Sequence, residues 1–380
     1  MPKIQLCTPC NFGLESILTR EIKDLGFCIE SVTNGRVNFV SDEEGICKAN
    51  LRLRTAERVL VKLGEFEATT FEELYQNTKN LNWYDWIPKD GAFPASKASS
   101  VKSKLFSTSD IQSIVKKAVV DNLKKKYKVS WFNETGPSYP IHIFIYKDKV
   151  TLYLDSSGTA LHKRGYRQIG SEAPMKETLA AALVFLTPWK EGRLLVDPLC
   201  GSGTILIEAA LKAINKPPGL DRNFISENWA CIAPKLWQKA RIEGENSIKN
   251  NAEIYIQGYD IDDKVLKIAR NNAKKAGVDK YIHFQQRDVR DLSYKDKYGF
   301  IITNPPYGER LEDIKSVELL YKDMGKAFST LDTWSFYILT AHEGFEKLFG
   351  RKADRKRKLY NGMLKTDLYQ YFGPKPINKF

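Results

Sequence analysis

Asn304-Pro305-Pro306-Tyr307 follows a short apolar run, Phe300 to Ile302, and its residue types suit one kind of chemistry. An exocyclic amine on a planar base is a poor nucleophile, because its lone pair is delocalised into the ring. If the Asn304 side-chain oxygen and the Pro305 carbonyl each accept one amine hydrogen, the nitrogen can pyramidalise and aim its lone pair at an electrophile. Prolines stiffen such a turn, and the Tyr307 ring can stack on the base. A second string, Asp197-Pro198-Leu199-Cys200-Gly201-Ser202-Gly203-Thr204, joins an apolar strand to an apolar helix. Its glycines let the backbone approach a ligand closely, and the helix that follows offers free N–H groups. Asp260-Ile261 and Asp288-Val289 end two further strand-like runs. A carboxylate at Asp260 can accept from both hydroxyls of a ribose, Asp288 can accept from an adenine amino group, and Asp197 can meet a ligand ammonium. The glycine pattern lacks the third glycine of a dinucleotide fingerprint, and Asp260 lies farther on than that fingerprint places its acid. The set points away from NAD and toward S-adenosylmethionine with a planar-nitrogen acceptor. Cys200, inside the glycine turn, is not placed for attack on a pyrimidine ring and reads as a buried or cofactor-lining thiol.

Strand ends gathered on one edge of a sheet would position these residues, and the surrounding pattern supplies them. From Lys176 onward, helix (176–186, 204–214, 263–276) and strand (194–196, 255–259, 282–286, 300–303) signals alternate. That order indicates a parallel sheet covered on both faces. Asn361-Gly362 marks a two-residue hairpin that closes the sheet in antiparallel fashion. The front of the chain differs. Leu14, Ile17, Leu18, Ile22 and Leu25 recur at helical spacing before Gly26, and strands flank Asn34-Gly35. A second helix (46–58) and a strand (59–66) follow. Asp110 is the expected N-cap of a helix with Ile111, Ile114, Val115, Ala118, Val119 and Leu123 on its apolar face, ahead of strands at 141–146 and 150–154. Residues 157–170, with Arg164-Gly165-Tyr166-Arg167, read as a basic linker.

The 380 residues carry a formal net charge of +13, which implies a polyanionic partner. Between Lys97 and Lys128 nine lysines face two acids, a local excess of seven positive charges. Of these, Lys102, Lys104, Lys116, Lys117, Lys124 and Lys125 are candidate phosphate contacts, together with Arg164 and Arg167. Phe93, Phe106, Tyr127, Trp131 and Phe132 lie among them and can stack on unpaired bases or pack in a core. No apolar run long enough for a membrane span or a secretory leader is present, so no membrane partner is expected. Six scattered cysteines make no disulfide framework, and a reducing cytoplasm fits them. Cys7-x-x-Cys10 lacks a second close pair or a nearby histidine, so no metal is expected.

Taken as a set, Phe12-Gly-Leu-Glu15, Leu161-His-Lys-Arg-Gly-Tyr-Arg167, Lys176-Glu-Thr-Leu-Ala-Ala-Ala182, the glycine turn, Pro218-Gly-Leu220 and Asn304-Pro-Pro-Tyr-Gly-Glu-Arg310 resemble the THUMP-domain RNA methyltransferases. These are class I S-adenosylmethionine enzymes that make N2-methylguanosine. The chain most resembles the amino-terminal half of the bacterial large-subunit rRNA guanine-N2 methyltransferase. The resemblance implies an α/β protein with a ferredoxin-like domain (1–60), a THUMP domain that binds structured RNA (61–156), the linker (157–170) and a Rossmann-like, seven-stranded methyltransferase domain (171–380). The fused enzymes continue into a second methyltransferase whereas this sequence stops at Phe380, leaving guanine-N2 transfer as the implied activity, on rRNA or, as in sister families, tRNA. Asn-Pro-Pro-Tyr also resembles the motif of DNA adenine-N6 and protein glutamine-N5 enzymes. A basic front half argues against protein and the THUMP resemblance argues for RNA over DNA. A non-catalytic RNA-binding assembly factor could dispense with Asp197, Asp260 and Asn304, and all three are present.

Overall fold

The computed structural model describes residues 3–167, 175–308 and 311–376, with residues 311 and 312 described in backbone only. Their elements run β1 (Ile4–Pro9), α1 (Glu15–Asp24), β2 (Cys28–Thr33), β3 (Arg36–Ser41), α2 (Glu43–Arg52), β4 (Leu60–Glu67), α3 (Phe71–Lys79), β5 (Ala95–Val101), α4 (Thr108–Tyr127), β6 (Ile141–Tyr146) and β7 (Lys149–Asp155). There follow α5 (Glu177–Phe185), β8 (Leu195–Asp197), α6 (Thr204–Ala213), α7 (Pro234–Asn246), β9 (Ile256–Asp260), α8 (Asp263–Ala276), β10 (Ile282–Gln286), β11 (Phe300–Thr303), α9 (Leu311–Phe328), β12 (Ser335–Thr340), α10 (Phe345–Phe349), β13 (Arg355–Asn361) and β14 (Leu364–Tyr371). The chain divides into two compact units. One comprises Met1–Cys10, Leu18–Leu161 and Arg222–Gly244, the other Asn11–Ile17, His162–Asp221 and Glu245–Phe380.

The first unit is built on one seven-stranded sheet, ordered β2-β3-β1-β4-β7-β6-β5. Its β1-α1-β2-β3-α2-β4 portion has the ferredoxin-like order. β4 does double service, since Leu60 and Val61 pair with β1 while the strand as a whole pairs with β7. The fourth ferredoxin strand therefore continues directly into the sheet of the following block. The helix expected to reach Arg58 stops at Arg52, and the reason is a buried carboxylate. Glu21 accepts the backbone N–H groups of Arg54 and Thr55 at 2.8 and 3.1 Å, which draws that stretch out of the helical path. α4 begins at Thr108, so Asp110 is not its cap. It sits in the first turn, where a negative charge favours the helix dipole. Ser157, expected in the linker, is buried, donating to Asn50 Oδ1 at 2.6 Å and accepting the Val59 N–H at 2.8 Å.

Arg222–Gly244 belongs to this first unit although it falls between α6 and β9 in the chain. Two tryptophans anchor it. Trp229 stacks on Tyr139 with ring centroids 5.0 Å apart and donates to the Ser138 carbonyl at 2.9 Å. Trp237 stacks on Phe224 and donates to the Ser226 carbonyl.

The second unit carries the sheet β10-β9-β8-β11-β12-β14-β13. Its first five strands are parallel, and β14 is antiparallel to both β12 and β13. The alternation and the closing hairpin thus stand as expected. β11 and β12 are buried at every position, as strands covered on both faces must be, which explains the apolar runs Phe300–Ile302 and Phe336–Leu339 within them. The hairpin turn differs by one residue from the expected one: Asn361 pairs with Leu364, and the loop is Gly362-Met363. Gly362 has φ 64°. Asn11–Ile17 completes this unit: Arg357 donates to the Gly13 carbonyl and to Ser16 Oγ, and the Phe12 ring edge meets Tyr360.

Trp229→Ala removes a fully buried indole and its hydrogen bond, so denaturant unfolding of the first unit should lose about 3–5 kcal/mol. A loss under about 1 kcal/mol in urea titrations would show that Trp229 does not anchor the Arg222–Gly244 segment.

Candidate active site

Parallel pairing puts the carboxyl ends of β10, β9, β8 and β11 on one edge, with Gln286 opposite Asp260 and Asp197 opposite Gly258. Crevices outside such an edge, where strand order reverses, are where open α/β sheets bind ligands. Strand order reverses here between β8 and β11, so Asp197 and Asn304 flank that point.

The glycine turn leaves β8 and enters α6 through Gly203, whose φ of 76° favours glycine. A methyl group on Gly203 would meet the Phe284 ring at 3.0 Å, whereas one on Gly201 would meet no protein atom within 4 Å. Gly201 therefore faces open space and Gly203 faces packing. No side chain caps α6, and the Cys200 N–H is taken by the Tyr259 carbonyl at 2.8 Å. Burial raises the Cys200 thiol far above its usual range, so it stays protonated. Pro198 and Thr204 are buried beside it, and Ser202 Oγ lies 3.2 Å from Thr204 Oγ1.

Asp260 holds the turn to β9. Its Oδ2 accepts the Gly201 N–H at 3.0 Å and its Oδ1 accepts the Asp262 N–H at 3.0 Å. A carboxylate has about four acceptor positions, so both oxygens keep capacity for a ligand. Ile261, next in line, is 62% exposed, an apolar side chain left open at the strand end. Asp197 is 2% exposed and accepts the Leu199 N–H at 3.2 Å. Burial pushes its carboxyl up to about 7 against the pull of the Thr303 hydroxyl and the Leu199 N–H, and nearby Asp260 adds to the rise. Asp288 already has a partner within the chain. Arg290 donates to it from its backbone and from its guanidinium, at 2.9, 2.9 and 2.6 Å, and holds the carboxyl below its usual range. Val289 is buried behind it.

Asn304 and Tyr307 are half-buried, Pro305 is buried and Pro306 is exposed. The Tyr307 hydroxyl donates to Asn304 Oδ1, so the ring expected to stack on a base also holds the amide expected to receive its amine. Burial raises the Tyr307 hydroxyl's pKa, while Asn361 pulls it down. Glu309 and Arg310 of the same string lie outside the described residues.

The basic candidates separate into two groups. Lys102, Lys104, Lys117 and Lys125 are exposed and Lys124 is half-buried, on or just before α4. Lys116 already has partners within the chain: it donates to Glu134 at 2.5 Å and to the Phe93 carbonyl at 3.1 Å, above the Phe93 ring, and burial lowers its pKa. It joins helix to loop and does not present a free charge to phosphate. Arg164 and Arg167 also have partners within the chain. Arg164 is 4% exposed with its guanidinium 3.6 Å from the buried Glu208, which also accepts from Tyr166 at 3.0 Å. Arg167 pairs with Glu177 and donates to the Met175 carbonyl, both at 3.1 Å. Among the aromatics, Phe93 and Phe132 are core, Tyr127 donates to the Ile87 carbonyl, and Phe106 and Trp131 are 81% and 78% exposed. Among the described residues no three His, Cys, Asp or Glu side chains gather into a metal-ligating group, and no helix is long and apolar enough to cross a membrane.

Sequence reasoning did not find Arg290, Asn361, Tyr321 or Thr340. Asn361 reads only as a turn residue, and Arg290 carries no local signal that pairs it with Asp288. Tyr321 and Thr340 carry no local signal, because the contacts that distinguish them lie 15 and 19 residues apart in the chain.

A nucleoside-suited edge with an Asn-Pro-Pro-Tyr turn on a 3-2-1-4-5-7-6 sheet defines the methyltransferase class. The family profile described as RMKL-like, methyltransferase domain matches residues 164–370, and those described as RlmL ferredoxin-like domain and THUMP domain match residues 5–60 and 68–155. The chain belongs to this RMKL-like methyltransferase family. It is 49% identical over 374 residues to YpsC of Bacillus subtilis (strain 168), provisionally named an RNA methyltransferase, across 98% of this chain and 97% of that protein. It is 33% identical to the ribosomal RNA large subunit methyltransferase K/L of Psychromonas ingrahamii over 96% of its own length, and spans 49% of that relative. A solved structure provisionally described as a methyltransferase, complexed with S-adenosylhomocysteine, is 41% identical and superposes with a TM-score of 0.93 over 99% of this chain and 100% of that one.

Asp197 gives a signed pH effect. Its folded pKa of about 7 exceeds the usual 3.8, so the folded chain binds more protons than the unfolded one between those values. Stability from this group is full at acid pH and lost as pH rises through the window. Between pH 5 and pH 8 the ligand-free protein should lose more stability than Asp197→Asn in urea unfolding. Parallel profiles would remove the buried carboxylate from that role.

Proposed function

We propose that the protein transfers a methyl group from S-adenosylmethionine to the exocyclic N2 of a guanosine in structured RNA, with large-subunit rRNA as the substrate. The observation that carries this reading is the Asn304–Tyr307 turn at the same sheet edge as Asp197 and Asp260. The name of the Psychromonas relative supports rRNA, and the name of the Bacillus relative supports RNA. The THUMP region, with the exposed lysines of α4 and the segment before it, is the RNA-binding part; the methyltransferase domain supplies the chemistry.

The edge suits the cofactor on its own evidence. Gly201 faces open space, Ile261 offers an exposed apolar side chain to an adenine, and Asp260 retains acceptor capacity for ribose hydroxyls. Asp197 is a buried carboxyl at the strand end, and an ammonium beside it would offset the cost of ionising it. Asp288, steadied by Arg290, is left to accept from the adenine amino group. When bound, S-adenosylmethionine supplies an electrophilic methyl on a sulfonium.

Asn304 Oδ1 and the Pro305 carbonyl accept the two amine hydrogens of the base, which localises the nitrogen lone pair and points it out of the ring plane. Tyr307 holds the base plane. Because its hydroxyl also donates to Asn304 Oδ1, the amide oxygen is oriented before a base arrives. Such preorganisation acts on the transition state rather than on substrate binding.

Asn304→Ala should lower kcat by about 10²–10³-fold with little change in KM, while Tyr307→Ala should raise KM as well as lower kcat. The assay is single-turnover transfer of labelled methyl to total RNA from a strain lacking the gene, followed by nucleoside analysis. Label in tRNA rather than rRNA would move the target, and labelled N6-methyladenosine in a parallel reaction with genomic DNA, with none in RNA, would replace the reading. Replacing Lys117, Lys124 and Lys125 with Gln should weaken RNA binding and flatten its salt dependence, by just under about one unit of slope per lost phosphate contact. Lys116→Gln should leave the slope unchanged and lower stability instead. Filter binding across a salt series separates the two outcomes.

A further inference from the structure

Tyr321 projects from α9 beneath the Asn304–Tyr307 turn and is fully buried. Its hydroxyl donates to the Pro306 carbonyl at 2.7 Å and lies 2.8 Å from Thr340 Oγ1, at the carboxyl end of β12. The hydroxyl has one hydrogen, and the Pro306 carbonyl can only accept, so that hydrogen is committed to Pro306. Thr340 must then be the donor to Tyr321. Thr340 Oγ1 in turn accepts the His342 N–H at 3.1 Å. Each link fixes the next, and the chain of donors runs in one direction, from the backbone after β12 to the backbone of the turn.

Nothing else about Tyr321 requires a hydroxyl. Its ring packs edge-on against Phe345 and His342, with centroids 5.0 and 5.5 Å away, a role phenylalanine would fill. Burial pushes the hydroxyl's pKa up to about 12, so it remains a donor at neutral pH. Pro306 itself is exposed and has no N–H with which to tie itself down, so the carbonyl is the turn's available handle. Movement of that peptide unit would displace the Pro305 carbonyl on one side and the Tyr307 ring on the other.

We propose that Tyr321, oriented by Thr340, is a positioning residue that locks the Pro306 peptide and so sets the amine-accepting geometry of the turn. This rests on the assignment of Asn304 and Pro305 as amine acceptors. The test uses the full-length protein, labelled S-adenosylmethionine and total RNA from a strain lacking the gene. Tyr321→Phe should keep cofactor affinity by calorimetry and RNA KM within about twofold, while the single-turnover rate falls about tenfold or more, the worth of one buried hydrogen bond. Thr340→Val should reproduce part of that fall, Thr340→Ser should restore it, and the double variant Tyr321→Phe/Thr340→Val should be no slower than Tyr321→Phe alone. Wild-type single-turnover rates for a folded Tyr321→Phe would overturn the inference, as would additive losses in the double variant. If Asn304→Ala is also fully active, the assignment of the turn fails; if Asn304→Ala is impaired while Tyr321→Phe is not, only the positioning role fails.

Discussion

The carboxylate of Asp260 is the point on which the carboxyl-end edge of the second sheet depends. It accepts from Gly201 in the glycine turn and from Asp262 at the head of α8, and the Asp260 carbonyl accepts the Arg287 N–H at 3.1 Å. One residue thus joins the loops after β8, β9 and β10. Isolated loops of this kind would be free to separate, because parallel strands pair along their length and not beyond their ends. A charged acceptor gives each of the two side-chain bonds more strength than a neutral one would. The same atoms keep acceptor capacity, so in the proposed reading the element that builds the edge also meets the ribose.

Buried carboxyls recur through the molecule, and partners differ with purpose. Glu208 and Glu177 meet arginines, and Glu21 meets backbone N–H groups. Asp197 accepts the Leu199 N–H, and burial raises its pKa.

Much of this was legible in order and spacing. Strands β10 and β11 and helix α8 fall where periodicity puts them, because parallel strands covered on both faces and an amphipathic helix write their burial directly into sequence. Asp262 caps α8 as local rules require. What could not be read were contacts between residues distant in sequence. Arg164 and Arg167 look like a basic surface segment until Glu208 and Glu177 are found against them, and Lys116 looks like its neighbours until Glu134 arrives from the loop after the helix. The end of α2 is set by Glu21, an acid in another helix. Charge in a sequence says that a partner is needed, and only the fold says which.

The path of the chain has a consequence for how it is made. Asn11–Ile17 belongs to the unit that otherwise begins at His162, while Arg222–Gly244 belongs to the unit that otherwise ends at Leu161. As synthesis proceeds from the amino terminus, the first sheet can pair as soon as β7 has emerged, yet Tyr139 waits for Trp229. The second unit needs β14 and a stretch of chain made near the start. Vectorial folding of two independent beads, finished one after the other, is therefore closed to this molecule. Proteolysis or gene truncation near residue 160 would not release two intact halves but would strip each of a segment held by the other piece of chain.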